Sequence, residues 1–150
     1  MKNEKKLYGM PNMGCMVGTA YQILLSRLSE TLSAYGLNLT PGEYMVLRAL
    51  YTCEGLQQCE LAEMVGKDRG AICRCVAAMV KKGLVRTESV SHKCLRVYVA
   101  PKGREIESKV MAVAKDRHDA LGSLLTPEEM KTFGIVLEKI INNTNQNKKG

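Results

Sequence analysis

Several features are scarce or missing in this 150-residue chain, and each absence closes off a class of function. No apolar run approaches the roughly 18 residues that a membrane-spanning helix needs. Histidine occurs only at His92 and His118, and none of the six cysteines forms a C-x-x-C pair. A structural zinc site therefore lacks the closely spaced thiolates and imidazoles it requires, and no metal is expected. No nucleophile–base pair, phosphate-cradling glycine loop or metal triad is visible, so neither enzymatic activity nor a cofactor is expected. The opening "MKNEKKLYGMPNMGC" is basic like a secretory leader, but Gly9, Pro11, Asn12 and Gly14 interrupt the segment where an apolar core belongs. The same interruption argues against lipoprotein cleavage before Cys15. The expected location is the cytoplasm, where six cysteines read as free thiols and not as a disulfide framework.

What is present describes one globular domain over residues 1–150. Apolar residues make up 45% and charged residues 25%, a composition that folds. The net charge of +7 is unevenly placed. Residues 56–104 carry ten positive and four negative charges, and each tail adds +2. The stretches 7–55 and 105–147 are slightly acidic. A basic centre is the footprint expected of nucleic-acid binding.

Periodicity places the elements. Val17, Tyr21, Leu24, Leu28 and Tyr35 recur at helical spacing from about Met13, and Gly36 ends that helix. In "LTPGEYMVLRALYTC", Thr40, Pro41 and Glu43 form a capping box with proline in the first turn. The helix they open is apolar nearly all round, with Arg48 the exception, so it should be buried. Thr126, Pro127 and Glu129 repeat the device before a last helix to about Asn142, which carries Phe133, Val136, Leu137, Ile140 and Ile141. Ile106, Val110, Val113 and Leu121 mark another long helix from about Gly103. The final "NTNQNKKG" reads as a disordered tail.

Between these lie two short helices, Gln58–Val65 and Asp68–Lys82, separated by Gly66 and Lys67. Asp68 is the N-cap of the second and Gly83 its terminator. After Gly83 the period becomes two, with Val85 and Thr87, then Leu95, Val97 and Val99, in a hairpin whose tip lies near "SVSHK". Two helices with a tight turn, then a hairpin, make a winged helix-turn-helix. Ala62, Gly66 and Ile72 stand at the separations such a motif needs: a small residue at the crossing, glycine in the turn, and a branched anchor on the second helix. Ile72, Cys75, Val76 and Met79 form its core stripe. Arg69, Gly70, Cys73, Arg74 and Ala77 lie away from it, a small-residue face flanked by arginines that suits a major groove. Cys73 and Cys75 stand about 200° apart around the helix axis and do not form a chelating pair.

From about Met13 to Asn142 the chain resembles the MarR family of transcriptional regulators. The matching stretches are "LTPGEYMVLRAL", "QQCELAEMVGKDRGAICRCVAAMVKKGLV", "VAPKGRE" and "LTPEEMKTFGIVLEKI". The resemblance implies a mainly α fold with a small β-hairpin: a winged helix-turn-helix lobe over about 40–101, flanked by dimerisation helices over about 13–36 and 103–142. It also implies a homodimer on pseudopalindromic double-stranded DNA, usually a repressor released by a small molecule or an oxidant. The expected DNA-contact set is Gln58, Lys67, Asp68, Arg69, Gly70, Ala71, Cys73, Arg74, His92 and Lys93. Departures from the family pattern are visible. Its recognition helix usually reads Asp-Arg-Ser-Thr where this chain has Asp68, Arg69, Gly70 and Ala71, and Cys73 replaces another frequent threonine. Its longer wing usually carries Asp-Arg-Arg; here Ser91, His92 and Lys93 occupy that place, with Lys93 or His92 standing in for the minor-groove arginine.

Tyr21, Tyr44 and Met45 are candidates for an effector pocket. Cys15 and Cys59, near helix starts that favour a thiolate, are candidates for redox sensing. Peroxide sensors of the family pair their cysteine with tyrosines, but Cys15 is one position out of that register and the tyrosines do not align. A third alternative keeps the fold as an interaction module that does not bind DNA.

Overall fold

The computed structural model describes residues 6–7 and 10–147, with side chains from residue 12 to 143. Lys2, Lys5, Lys148 and Lys149, part of the basic tails, lie outside the described residues. Two compact units divide the chain, Met1–Val113 and Ala114–Gly150.

The first unit opens with a small antiparallel pair, β1 (Lys6–Leu7) and β2 (Met10–Pro11), which sequence periodicity gave no reason to expect. Helix α1 (Met13–Ala34) follows, its first turn capped by the Asn12 side chain, which accepts the Cys15 N–H at 3.0 Å. Helix α2 (Pro41–Thr52) carries the anticipated capping box: Thr40 Oγ1 accepts the Glu43 N–H and Glu43 Oε2 accepts the Thr40 N–H, both at 3.2 Å. Its Val46, Leu47 and Leu50 are fully buried. Strand β3 (Leu56–Gln57), helix α3 (Gln58–Val65), helix α4 (Arg69–Lys81) and the hairpin β4 (Val85–Ser91) and β5 (Cys94–Val99) complete the lobe. The sheet is antiparallel in the order β3-β5-β4, so the wing has a third strand that the sequence reading lacks. Leu56 pairs with Val97 and Gln57 with Arg96. The core beneath it is Leu61, Ile72, Val76, Met79, Val85 and Val97, all at most 2% exposed.

The expected single helix from about Gly103 is two pieces: α5 (Pro101–Glu105) and α6 (Glu107–Gly122), broken at Ile106 with φ −95° and ψ 0°. Gly103 sets how close α5 lies to the wing. A Cβ on it would lie 2.2 Å from the Leu84 carbonyl oxygen, so only glycine lets α5 come this close to the base of the wing. The second unit holds the rest of α6 and helix α7 (Pro127–Asn147). Glu129 N–H donates to Thr126 Oγ1 at 3.2 Å, the expected start. The helix runs five residues past the expected end at Asn142, so most of the segment read as a tail is helical, and residues 148–150 lie outside the described ones.

Candidate nucleic-acid interface

The site is built around α4. Its buried stripe, Ile72, Val76 and Met79, fixes which side faces out. Asp68 caps it, its Oδ1 accepting the Ala71 N–H at 2.8 Å. The turn before it works because Gly66 adopts φ +71°, which a residue with a Cβ rarely tolerates, while Ala62, 6% exposed, lets the two helices cross closely. On the outer face Arg69, Gly70, Cys73, Arg74 and Ala77 are all exposed, and Ala71 is half-buried at the edge. Gly70 leaves space over the first turn: a Cβ there would meet Asp68 Oδ1 at 3.2 Å and Arg74 Nη1 at 3.3 Å. The Arg74 guanidinium therefore lies across the start of the helix, in the place a larger residue at 70 would crowd.

Gln58 opens α3 and is tied to this face, its Oε1 accepting the Cys73 thiol at 3.0 Å. That contact joins the two helices across their outer surface and was not legible in sequence. Lys67 is placed differently from the rest. Its Nζ lies 3.5 Å from where a Cβ on Gly42 would be, with the Cys75 Sγ 3.8 Å from the same point, so its side chain leans toward the start of α2. Burial pushes the Cys75 thiol up, Glu43 adds to this, and Lys67 and Lys82 oppose it. Cys75 is thus a half-buried, protonated thiol beside the core stripe.

At the wing, His92 and Lys93 form the two-residue turn between Ser91 and Cys94, both exposed at the tip. A bulge between Ser89 and Ser91 leaves Val90 exposed beside them. The other wing arginines are occupied. Arg96 Nη1 donates to the Gly55 carbonyl at 2.7 Å, while Arg86 pairs with Glu88 and lies over the Tyr98 ring, 4.4 Å from its centroid. Arg69, Arg74 and Lys93 make no ion pair among the described residues, so their charge is directed to solvent. The basic centre of the sequence thus divides into cations that fasten the lobe and cations presented outward by α4 and the wing.

The remaining candidates are scattered. Tyr44 and Met45 line a groove of about 290 Å³ with Arg48, Ala49, Met64 and Val65. Tyr21 sits on α1, half exposed, and is not part of that lining. Cys15 is exposed in the first turn of α1, and Cys59 is half-buried in the first turn of α3, its Sγ 3.5 Å from Gln57 Oε1. No group of three or more metal-ligating side chains occurs among the described residues, and no described helix is long and apolar enough to cross a membrane.

Comparisons with known proteins agree with this geometry. The MarR family model matches residues 35–93, which hold α2, the helix-turn-helix and most of the wing. The chain is 25% identical over 109 residues to the HTH-type transcriptional regulator YybA of Bacillus subtilis (strain 168), covering 71% of this chain and 73% of that one. Among solved structures it resembles a MarR transcriptional regulator from Methanosarcina mazei Go1, with a TM-score of 0.76 at 20% identity over 89% of this chain and 96% of that one. It also resembles a mutant MarR from E. coli complexed with operator DNA, with a TM-score of 0.76 at 24% identity over 85% and 92% of the two chains. At these identities the structures establish the fold. The matched motif, the curated relative and the shared fold converge: residues 35–93 match the MarR family model, and the chain has the winged helix-turn-helix fold of MarR transcriptional regulators.

Proposed function

We propose that this protein is a homodimeric, sequence-specific regulator of transcription in the cytoplasm, a repressor that a small molecule releases from its operator. Residues 1–150 act as one regulator: the lobe of about 40–101 reads double-stranded DNA and the terminal helices join two copies. The observation that carries the reading is the outer face of α4, small at Gly70, Cys73 and Ala77 and bordered by Arg69 and Arg74, which make no ion pair among the described residues. Such a face admits close approach to base edges, and arginine supplies the bidentate donors that major-groove reading uses. Lys93 and His92 at the wing meet the adjacent backbone or minor groove.

Dimerisation is supported by exposed apolar surface. On α1, Met13, Met16, Val17, Tyr21, Ile23 and Leu24 are each at least 39% exposed. On α7, Phe133, Ile135, Val136, Leu137, Ile140 and Ile141 are each at least 36% exposed. Apolar stripes of this length are normally covered, and a second copy covers them by two-fold symmetry. The groove at Tyr44, Met45 and Arg48 is the proposed effector site. The E. coli relative was solved on operator DNA, which favours the DNA-binding reading over an interaction module. Selection from a random duplex pool with the purified protein tests this. A pseudopalindrome with half-sites about one helical turn apart should be enriched; enrichment of no duplex would overturn the reading.

A further inference from the structure

The contact between Gln58 and Cys73 fixes which end of an amide faces out. Gln58 is the first residue of α3. Cys73 lies on the outer face of α4, one helical turn from both Gly70 and Ala77, which are too small to cover it. The Cys73 thiol donates to Gln58 Oε1 at 3.0 Å, so the amide oxygen is turned onto α4. No hydrogen bond of the Gln58 amide nitrogen occurs among the described residues. Gln58 is half-buried and Cys73 exposed, which puts the bond at the rim of the outer face and not within the core.

A glutamine that reads adenine uses both amide ends at once, the nitrogen toward N7 and the oxygen toward the N6 amine. Here the thiol draws the oxygen onto α4 and leaves the donor end to act alone. Gln58 stands on the first helix of the helix-turn-helix, the one that crosses the DNA backbone, where a neutral donor meets phosphate oxygen. We propose that Cys73 is a positioning residue: its thiol holds the Gln58 side chain in place before DNA arrives and aims the Nε2 donors at a phosphate oxygen. This rests on the DNA-binding reading above. A free glutamine loses rotamer freedom when it binds, and a bond made in advance removes part of that cost. The S–H group is a weak donor, so the effect is modest in size. A serine hydroxyl in the same place donates as the thiol does, whereas alanine offers nothing.

The experiment measures affinity at several salt concentrations on the selected operator and on a scrambled duplex of equal length. Wild type, Gln58→Ala, Cys73→Ala, Cys73→Ser and the double alanine variant are compared, with Tm recorded for each. Gln58→Ala should weaken both duplexes by about tenfold per protomer, the scale of one hydrogen bond to a charged group. Its salt slope should stay at the wild-type value, because a neutral amide releases no counterion. Cys73→Ala should weaken both duplexes by about threefold per protomer, the cost of ordering one long side chain. It should add nothing once Gln58 is alanine, and Cys73→Ser should bind as wild type does. A thiol that touches DNA itself would keep its effect in the Gln58→Ala background and overturn the proposal. A loss confined to the operator would assign Gln58 to a base edge and overturn it equally, as would Cys73→Ala that binds like wild type. A purely structural role would lower Tm in Cys73→Ala, leave Cys73→Ser without rescue of affinity, and overturn it too. Wild type that binds neither duplex overturns the DNA-binding reading and this proposal with it, whereas wild-type binding with additive losses in the double variant overturns the link between Cys73 and Gln58 alone.

Discussion

Glu43 is the only charged side chain among the described residues that is buried, at 3% exposure, and replacing its partner is the sharpest test of how the recognition helix is held. Lys82, the C-cap of α4, donates to Glu43 Oε2 at 2.9 Å and to the Asn38 carbonyl at 3.1 Å. The pair ties the end of α4 to the start of α2. Breaking a fully buried ion pair by removing one partner costs about 3–5 kcal/mol. Three features reduce that here. The Lys82 side chain is 34% exposed, so water enters the vacated place. Glu43 keeps its bond from the Thr40 N–H. Lys67 remains near the same cluster beside Cys75. Lys82→Met should therefore cost about 2 kcal/mol. Glu43→Gln should cost less, about 1 kcal/mol, because the amide oxygen still accepts from Thr40 and the freed lysine turns to water. The double variant should be less destabilised than the sum, with a coupling of about 1 kcal/mol. Urea unfolding at one fixed protomer concentration measures all four corners, since dimer stability depends on concentration. Additive single effects, or a Lys82→Met cost below about 0.5 kcal/mol, the level of an exposed pair, would show that this pair does not hold the end of α4.

Further outcomes are expected. Gly103→Ala places a Cβ 2.2 Å from the Leu84 oxygen, so α5 must move, at a cost near the upper end of the roughly 1–3 kcal/mol typical of overpacking; a Tm equal to wild type would show that the approach of α5 is not needed. Tyr51 is pushed up to about 12, first by burial and then by Glu107, with Arg104 opposing. From its ordinary value of 10.0 to about 12 the unfolded chain has lost that proton and the folded chain keeps it, so stability falls as pH rises through this window. Tyr51→Phe should remove that decline, and an alkaline absorbance titration should lose its last-ionising tyrosine. A maleimide should label exposed Cys73 before Cys75, whose thiol burial keeps protonated, and labelling at Cys73 should block DNA by bulk alone. Mild cumene hydroperoxide should leave wild-type affinity intact; a loss prevented by Cys15→Ser or Cys59→Ser would favour the redox alternative.

The parts of the fold that were legible in sequence are local ones. Thr40 with Glu43 and Asp68 before α4 announce helix starts because the cap and its N–H lie three residues apart. Gly36, Gly66 and Gly83 mark helix ends and all take positive φ. The outer face of α4 followed from its buried stripe alone. What was not legible depends on distant pairing. Strand β3 has two residues and no period, and it exists because β5, about forty residues on, offers an edge. The break at Ile106 is invisible because Ile106, Val110 and Val113 keep helical spacing through it. Arg86 and Arg96 read as basic surface, yet Tyr98 and the Gly55 carbonyl claim them. The asparagine-rich end reads as coil, but α7 carries on through it to Asn147.

Whether α4 and the wing tip meet DNA is tested by affinity against salt for wild type, Arg74→Ala and Lys93→Ala on the selected operator and on unrelated duplex. Wild-type affinity should fall steeply with salt, as phosphate neutralisation requires. Lys93→Ala should weaken both duplexes alike and lower the slope by about 1 per protomer. Arg74→Ala should cost about 1–3 kcal/mol on the operator and narrow its advantage over unrelated sequence. Affinity that ignores salt, or that is unchanged in both variants, would show that α4 and the wing tip do not meet DNA.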